Sequence, residues 1–265
     1  MRELGKRVFV SIIFIPILIL ALYFGGIPLY LMFLFVSVMG SQEYIAMMRN
    51  AGIDISHYWI LLNPVMFSAG VFFPGIHLSL IWLTLLITMS DAAIKWNRQT
   101  SVPRMFATFW GSIYTALMPA MIVMISWQLH VKKILLALIL LIWIVDTVAY
   151  FVGMRFGKKR NITPISPKKS REGFIAGLLA PAVISFILYI CGFRYFSAQE
   201  LALLVVASGV FGQLGDLLES MLKRFCDVKD SSRLIPGHGG VLDRTDSILL
   251  AGSFLYAALA MLINL

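Results

Sequence analysis

The chain alternates long apolar runs with short polar ones, and about nine of the apolar runs approach the ~20 residues a helix needs to cross ~30 Å of hydrocarbon. They cover roughly 8–24, 28–48, 58–73, 77–94, 106–126, 134–153, 173–192, 200–222 and 246–264. The pattern predicts an all-α integral membrane protein of about nine transmembrane helices. Pro16, Pro64, Pro119 and Pro181 fall inside these runs, which lipid-buried helices accommodate when neighbours satisfy the freed carbonyls. The run after Met1 to Arg7 is about span length and has no small-residue cleavage site behind it, so it reads as a first span rather than a signal peptide.

Composition agrees with the pattern. Of 265 residues, 60% are apolar and 13% charged, with a mean hydropathy of +0.88, which no water-soluble domain of this size carries. A net charge of +9 would suggest nucleic acid as partner in a soluble protein. Here the distribution overrides the total. With the N-terminus in the cytoplasm, alternate loops hold 19 of the 22 basic residues, leaving Lys132, Lys133 and Arg194 outside, as the positive-inside rule requires. The two long charged loops, 154–172 and 223–245, then face the cytoplasm, the C-terminus lies outside, and no nucleic acid is implied. Cys191 and Cys226 form neither a disulfide framework nor a metal pair. With no repeat, low-complexity tract or linker, the chain divides by content. Residues 1–130 are scaffold helices suited to lipid access and dimer contacts. Residues 131–265 hold the polar chemistry.

Nine of the 13 acidic residues lie from Asp146 onward. Asp146, Asp216 and Glu219 fall within predicted spans and Asp246 at the mouth of another, where an ionised carboxylate needs a partner, a cation or water. Gln213, Asp216, Ser220 and Lys223 recur at three or four residues and share one helix face, with Glu219 beside it, placed to pair with Lys223. Asp243 and Asp246 likewise share a face near a helix start. Asp216, Asp243 and Asp246, with the Ser220 hydroxyl, offer Mg²⁺ the few carboxylates it prefers beside phosphate oxygens and water. Structural ion pairing, or capping of the last helix by Asp243 and Asp246, is the plainer alternative.

Between those helices Lys223, Arg224, Lys229 and Arg233 lead to Gly237-His238-Gly239-Gly240. Such a loop suits a polyphosphate: the cations supply charge and forked donors, the glycines let the backbone approach, and His238 can donate a hydrogen bond or move a proton. The second loop holds Arg155, Lys158, Lys159 and Arg160, then Ser166-Pro167-Lys168-Lys169-Ser170. Its glycine spacing is not that of a Walker A loop. A basic juxtamembrane run often only sets topology or touches anionic lipid, but opposite an acidic site it suits a lipid phosphate.

Ser220-x-Leu222-Lys223-Arg224, Lys229-Asp230 and His238-Gly239-Gly240-Val241-x-Asp243-Arg244-Thr245-Asp246 together resemble the signature of the phosphatidate cytidylyltransferases, the CDP-diacylglycerol synthases, over about 27 residues. Asp146-Thr147-Val148-Ala149-Tyr150 with Gly153, and Ser166 to Gly173, are similar to that family's other recurrent segments, with Ser170 and Arg171 where Thr and Trp are usual. The resemblance implies CMP transfer from CTP to phosphatidic acid, releasing pyrophosphate, with Mg²⁺ and with a second cation, divalent or K⁺, left open. Under that reaction Asp216, Asp243 and Asp246, with Ser220 as a weaker ligand, are the expected metal-binding residues. Lys223, Arg224, Lys229, His238 and Arg244 would meet CTP and the departing pyrophosphate. Lys168, Lys169 and Ser170 would hold the lipid phosphate, and Asp146 would orient a lysine or second cation. A bacterial inner-membrane enzyme, as a homodimer, is the expected setting. A polyprenol kinase or CDP-archaeol synthase type, or an ion-coupled transporter, is the competing reading.

Overall fold

The computed structural model describes every residue except Met1, Pro74, His130, 159–164, Lys168, Pro236 and 264–265, together with the side chains of 2–11, Ile13, Lys132 and Ile263. Among the described residues the secondary structure is helical, broken only by an isolated bridge between Ile235 and Gly239. The helices are α1 (Arg2–Phe24), α2 (Gly26–Asn50), α3 (Trp59–Phe72), α4 (His77–Ile94), α5 (Ser101–Trp127), α6 (Lys132–Phe156), α7 (Arg171–Ile190), α8 (Ala198–Phe225) and α9 (Leu242–Ile263). Each predicted run therefore lies on a helix.

Seven of these, α2 and α4 to α9, have the length and apolarity to cross a bilayer. α3 has 14 residues, about 21 Å of helix, and the described apolar part of α1 is Phe14–Phe24. Large apolar side chains point outward in quantity, with Leu61 75%, Leu78 71% and Ile94 83% exposed. A surface of that kind fits lipid, where apolar exposure carries no penalty. The protein is a multi-pass, all-α membrane protein.

The chain forms two compact units. The first comprises Met1–His130 and Leu222–Thr245, the second Val131–Met221 and Asp246–Leu265. In the first, helices are tied by polar contacts of the sort that lipid makes worthwhile. The Asn63 amide donates to the hydroxyls of Ser41 and Thr115, both at 3.1 Å, and the Tyr44 hydroxyl donates to the Ala107 carbonyl at 2.8 Å. The Tyr44 ring packs against Gly111, where a Cβ would come within 2.4 Å of it. Within α5, Ile113–Leu117 is a widened π-turn, consistent with Pro119, which has no N–H for the usual bond to Thr115.

In the second unit α6 and α7 approach closely where glycines remove the side chains between them. A Cβ on Gly173 would stand 2.5 Å from the Ala149 carbonyl, and one on Gly153 2.9 Å from the Ser170 hydroxyl. α8 carries a second π-turn, Ala207–Gly212. The carbonyl of Gly209 within it accepts from the Gln213 side chain at 2.8 Å, so the wide turn leaves no polar group bare in the membrane. Both cysteines are free. Burial pushes the Cys226 thiol above its ordinary pKa, which favours the thiol over the nucleophilic thiolate.

Candidate functional site

Two polar assemblies stand in the two units. In the second, α6, the start of α7 and α8 enclose a cavity of about 380 Å³ lined by Asp146, Tyr150, Lys169, Ser170, Gln213 and Asp216 among others. The Lys169 ammonium is ion-paired with Asp216. Ser170 is the N-cap of α7, its hydroxyl accepting from the Gly173 N–H at 3.1 Å. Two acids, a lysine and a helix N-terminus thus share one space, and the last two attract anions.

Local sequence explains the placement. The π-turn adds a residue to one turn of α8, and the side chains of Gln213 and Asp216 that follow it line the cavity. Gly215 makes room for α9: a Cβ on it would lie 2.5 Å from the Asp246 carbonyl and 3.1 Å from Ser247 Cα. The backbones of α8 and α9 therefore meet immediately beside Asp216.

In the first unit the end of α8 closes with the chain reversing at Asp227, whose φ is +52°. The Val228 N–H bonds the Lys223 carbonyl at 2.9 Å and the Asp227 N–H bonds the Arg224 carbonyl at 3.2 Å, the Schellman pattern of a helix C-terminus. The loop then tightens into a turn in which the Ile235 N–H donates to the Gly239 carbonyl at 2.8 Å, with Gly237 and Gly239 at φ 76° and 86°. Arg244 Nε donates to the His238 carbonyl at 3.0 Å.

Asp243 is the hub of this loop. It accepts from Lys223 Nζ at 2.6 Å, from the Ser231 N–H and hydroxyl at 2.8 Å each, and from the Gly240 N–H at 2.7 Å. Three of these reach Oδ2 and only Lys223 reaches Oδ1, so Oδ1 keeps acceptor capacity. Among the described residues no three His, Cys, Asp or Glu side chains gather into a metal-holding group.

The structure thus brings Asp146, Lys169, Ser170 and Asp216 together in one unit and Lys223, Asp243, His238 and Arg244 in the other. Ser220 and Asp246 stand half-buried, while Arg224 and Lys229 are exposed. Lys168 lies outside the described residues, as do Lys159 and Arg160. The residue that sequence reasoning missed is Glu43 on α2, 5% exposed, which accepts from the Ser232 hydroxyl and the Val241 and Leu242 N–H groups and shares the Ser231 hydroxyl proton with Asp243. A signal for it was present, since Glu43 is an acid inside a predicted span.

The model of the cytidylyltransferase family matches residues 5–262. The chain is similar to a phosphatidate cytidylyltransferase of Bacillus subtilis (strain 168), 47% identical over 120 residues, 45% of each chain. It is similar to another from Haemophilus influenzae, 38% identical over 189 residues, 65% of this chain and 62% of the relative. A third, from Staphylococcus aureus (strain COL), is 45% identical over 111 residues, 42% of each chain. The aligned stretches therefore span from under half to about three-fifths of the length of these curated relatives.

Proposed function

The chain belongs to the cytidylyltransferase family, and we propose from that membership that it transfers CMP from CTP to phosphatidic acid, yielding CDP-diacylglycerol and pyrophosphate for phospholipid synthesis. The observation that carries this reading is the cavity of the second unit, where Lys169 and the N-terminus of α7 stand with Asp146 and Asp216 in a largely apolar surround. It has the parts to hold a phosphate whose acyl chains remain in lipid.

The chemistry asks little of a protein base. The attacking atom is an oxygen of the lipid phosphate, already ionised near neutral pH, and it bonds to the α-phosphorus of CTP as the bond to the bridging oxygen breaks. The electron pair leaves with pyrophosphate. What opposes the step is repulsion between two polyanions, so catalysis rests on positioning and neutralisation. Lys169 and Ser170, with Lys168, are assigned to the lipid phosphate. Lys223, Arg224, Lys229, His238 and Arg244 are assigned to CTP and the departing pyrophosphate.

Mg²⁺ is part of the proposal. Asp216 and Asp246, with the Ser220 hydroxyl, provide oxygen ligands of the type it takes, on two helices whose backbones touch at Gly215. Asp243 is assigned to the ion from its place in the sequence motif, its Oδ1 being met by Lys223 alone. Bound there, the ion would neutralise phosphate charge. Asp146 is reserved for orienting Lys169 or for a second cation, divalent or K⁺. The expected setting is a bacterial inner membrane with the basic loops on the cytoplasmic side. A homodimer is expected through the N-terminal helices, where Leu31 and Phe35 of α2 are exposed.

The test is product analysis. Purified protein in liposomes containing phosphatidic acid, given CTP labelled at the α-phosphate, should place the label in lipid and release pyrophosphate only when Mg²⁺ is present. Label recovered as CDP, with the lipid gaining only phosphate, would replace this reading by a kinase. Ion flux across the liposome without CTP turnover would replace it by transport.

A further inference from the structure

Glu43 is placed by its own geometry. It sits on α2, and its hydrogen bonds go to residues 188 to 199 positions further along the chain. The Ser232 hydroxyl donates to Oε1 at 2.6 Å and the Val241 N–H to the same oxygen at 2.8 Å. The Leu242 N–H donates to Oε2 at 2.9 Å. Ser231 Oγ lies 3.0 Å from Oε2 and 2.8 Å from Asp243 Oδ2, one hydroxyl proton between two carboxylates.

Two consequences follow from electrostatics and space. The N–H groups of Val241 and Leu242 open α9, and a helix N-terminus is a ready anion site. Glu43 occupies it. Gly240 has no side chain because none fits: a Cβ would stand 2.1 Å from Ser231 Oγ and 2.5 Å from Glu43 Oε1. The loop is built around the carboxylate.

We propose that Glu43 is a positioning residue for the nucleotide loop, acting through Ser231 and Asp243 to set the Lys223 ammonium, without itself touching substrate. The chain of contacts is continuous: Glu43 to Ser231 at 3.0 Å, Ser231 to Asp243 at 2.8 Å, Asp243 to Lys223 at 2.6 Å. The role in nucleotide binding rests on the function proposed above. The anchoring does not.

Glu43→Gln keeps the shape and removes the charge, and Glu43→Asp keeps the charge on a shorter arm. Glu43→Gln should raise the KM for CTP roughly tenfold, as expected for weakened charge-assisted hydrogen bonds, with the KM for phosphatidic acid changed less than about twofold. Glu43→Asp should recover part of the loss. In parallel, amide exchange of the full-length protein in detergent should rise across 231–245 in Glu43→Gln and not in α6 or α7. If Glu43→Gln does not fold, Ser231→Ala, which breaks the same chain without burying a new group, should give the same split between the two KM values. Unchanged exchange across 231–245 would overturn the anchoring. Raised exchange with both KM values moving together would overturn the positioning role. Should the wild-type protein make no CDP-lipid, the proposed function fails while the exchange measurement still decides whether Glu43 holds the loop.

Discussion

Lys223 donates to Asp243 across 2.6 Å, joining the last turn of α8 to the first turn of α9 across a separation of 20 positions in the chain, with side-chain exposures of only 13% and 5%. Removing one partner of a pair this dry strands the other charge, at a cost of about 3 kcal/mol. Lys223→Met should therefore lower the thermal midpoint in detergent clearly. Asp243→Asn keeps one acceptor oxygen for the loop and should remain inserted in the membrane while losing CDP-lipid synthesis. Near-normal turnover in Asp243→Asn would remove Asp243 from the site.

Asp216 pairs with Lys169 in the cavity. Asp216→Asn removes the charge that holds Lys169 and a proposed cation ligand together, so turnover should fall by roughly 10²-fold, as when one electrostatic contact at a reacting centre is lost. Titration of the residual activity with Mg²⁺ tests the ligand role. An unchanged Mg²⁺ requirement would leave Asp216 as a partner of Lys169 alone.

Gly215 lets α8 and α9 touch. Gly215→Ala puts a Cβ 2.5 Å from the Asp246 carbonyl, a backbone atom with no rotamer by which to escape, and overpacking of this sort costs about 1–3 kcal/mol. Both the thermal midpoint and activity should drop. At Gly52, where nothing lies within 4 Å of an added Cβ, only the φ of +77° opposes a side chain, so Gly52→Asn should be mild in the same assay.

Asp227 ends α8 in the left-handed region, a conformation that suits glycine and asparagine better than aspartate. Asp227→Gly should leave CDP-lipid synthesis unchanged and hold or slightly raise the thermal midpoint, whereas Asp227→Val should lower it. A loss of activity in Asp227→Gly would mean that this carboxylate has work beyond the turn.

Ser170 caps α7 through its hydroxyl. Ser170→Ala should cost about 1 kcal/mol of stability, the ordinary worth of an N-cap. It should also raise the KM for phosphatidic acid if the hydroxyl meets the lipid phosphate. A stability loss with no change in that KM would confine Ser170 to the cap.

Hydropathy alone determined the helical membrane class, because a spanning segment must satisfy its backbone internally and hide it behind an apolar surface. Spacing alone put Gln213, Asp216, Ser220 and Lys223 on one face and Asp243 and Asp246 on another, and motif resemblance added the reaction they would serve. These are local properties, legible because helix geometry repeats every few residues. The partners of those side chains come from elsewhere in the chain. Lys169 meets Asp216, and Glu43 meets Ser231, Ser232 and the start of α9, across separations of 47 and nearly 200 residues. No local pattern encodes such pairings. A π-turn that leaves Gln213 lining the cavity, and glycines whose missing side chains let backbones touch, became visible only with the helices packed. Tertiary structure decided which acids hold the loop and which face the cavity, because that depends on which helices approach closely enough to share a proton or a cation.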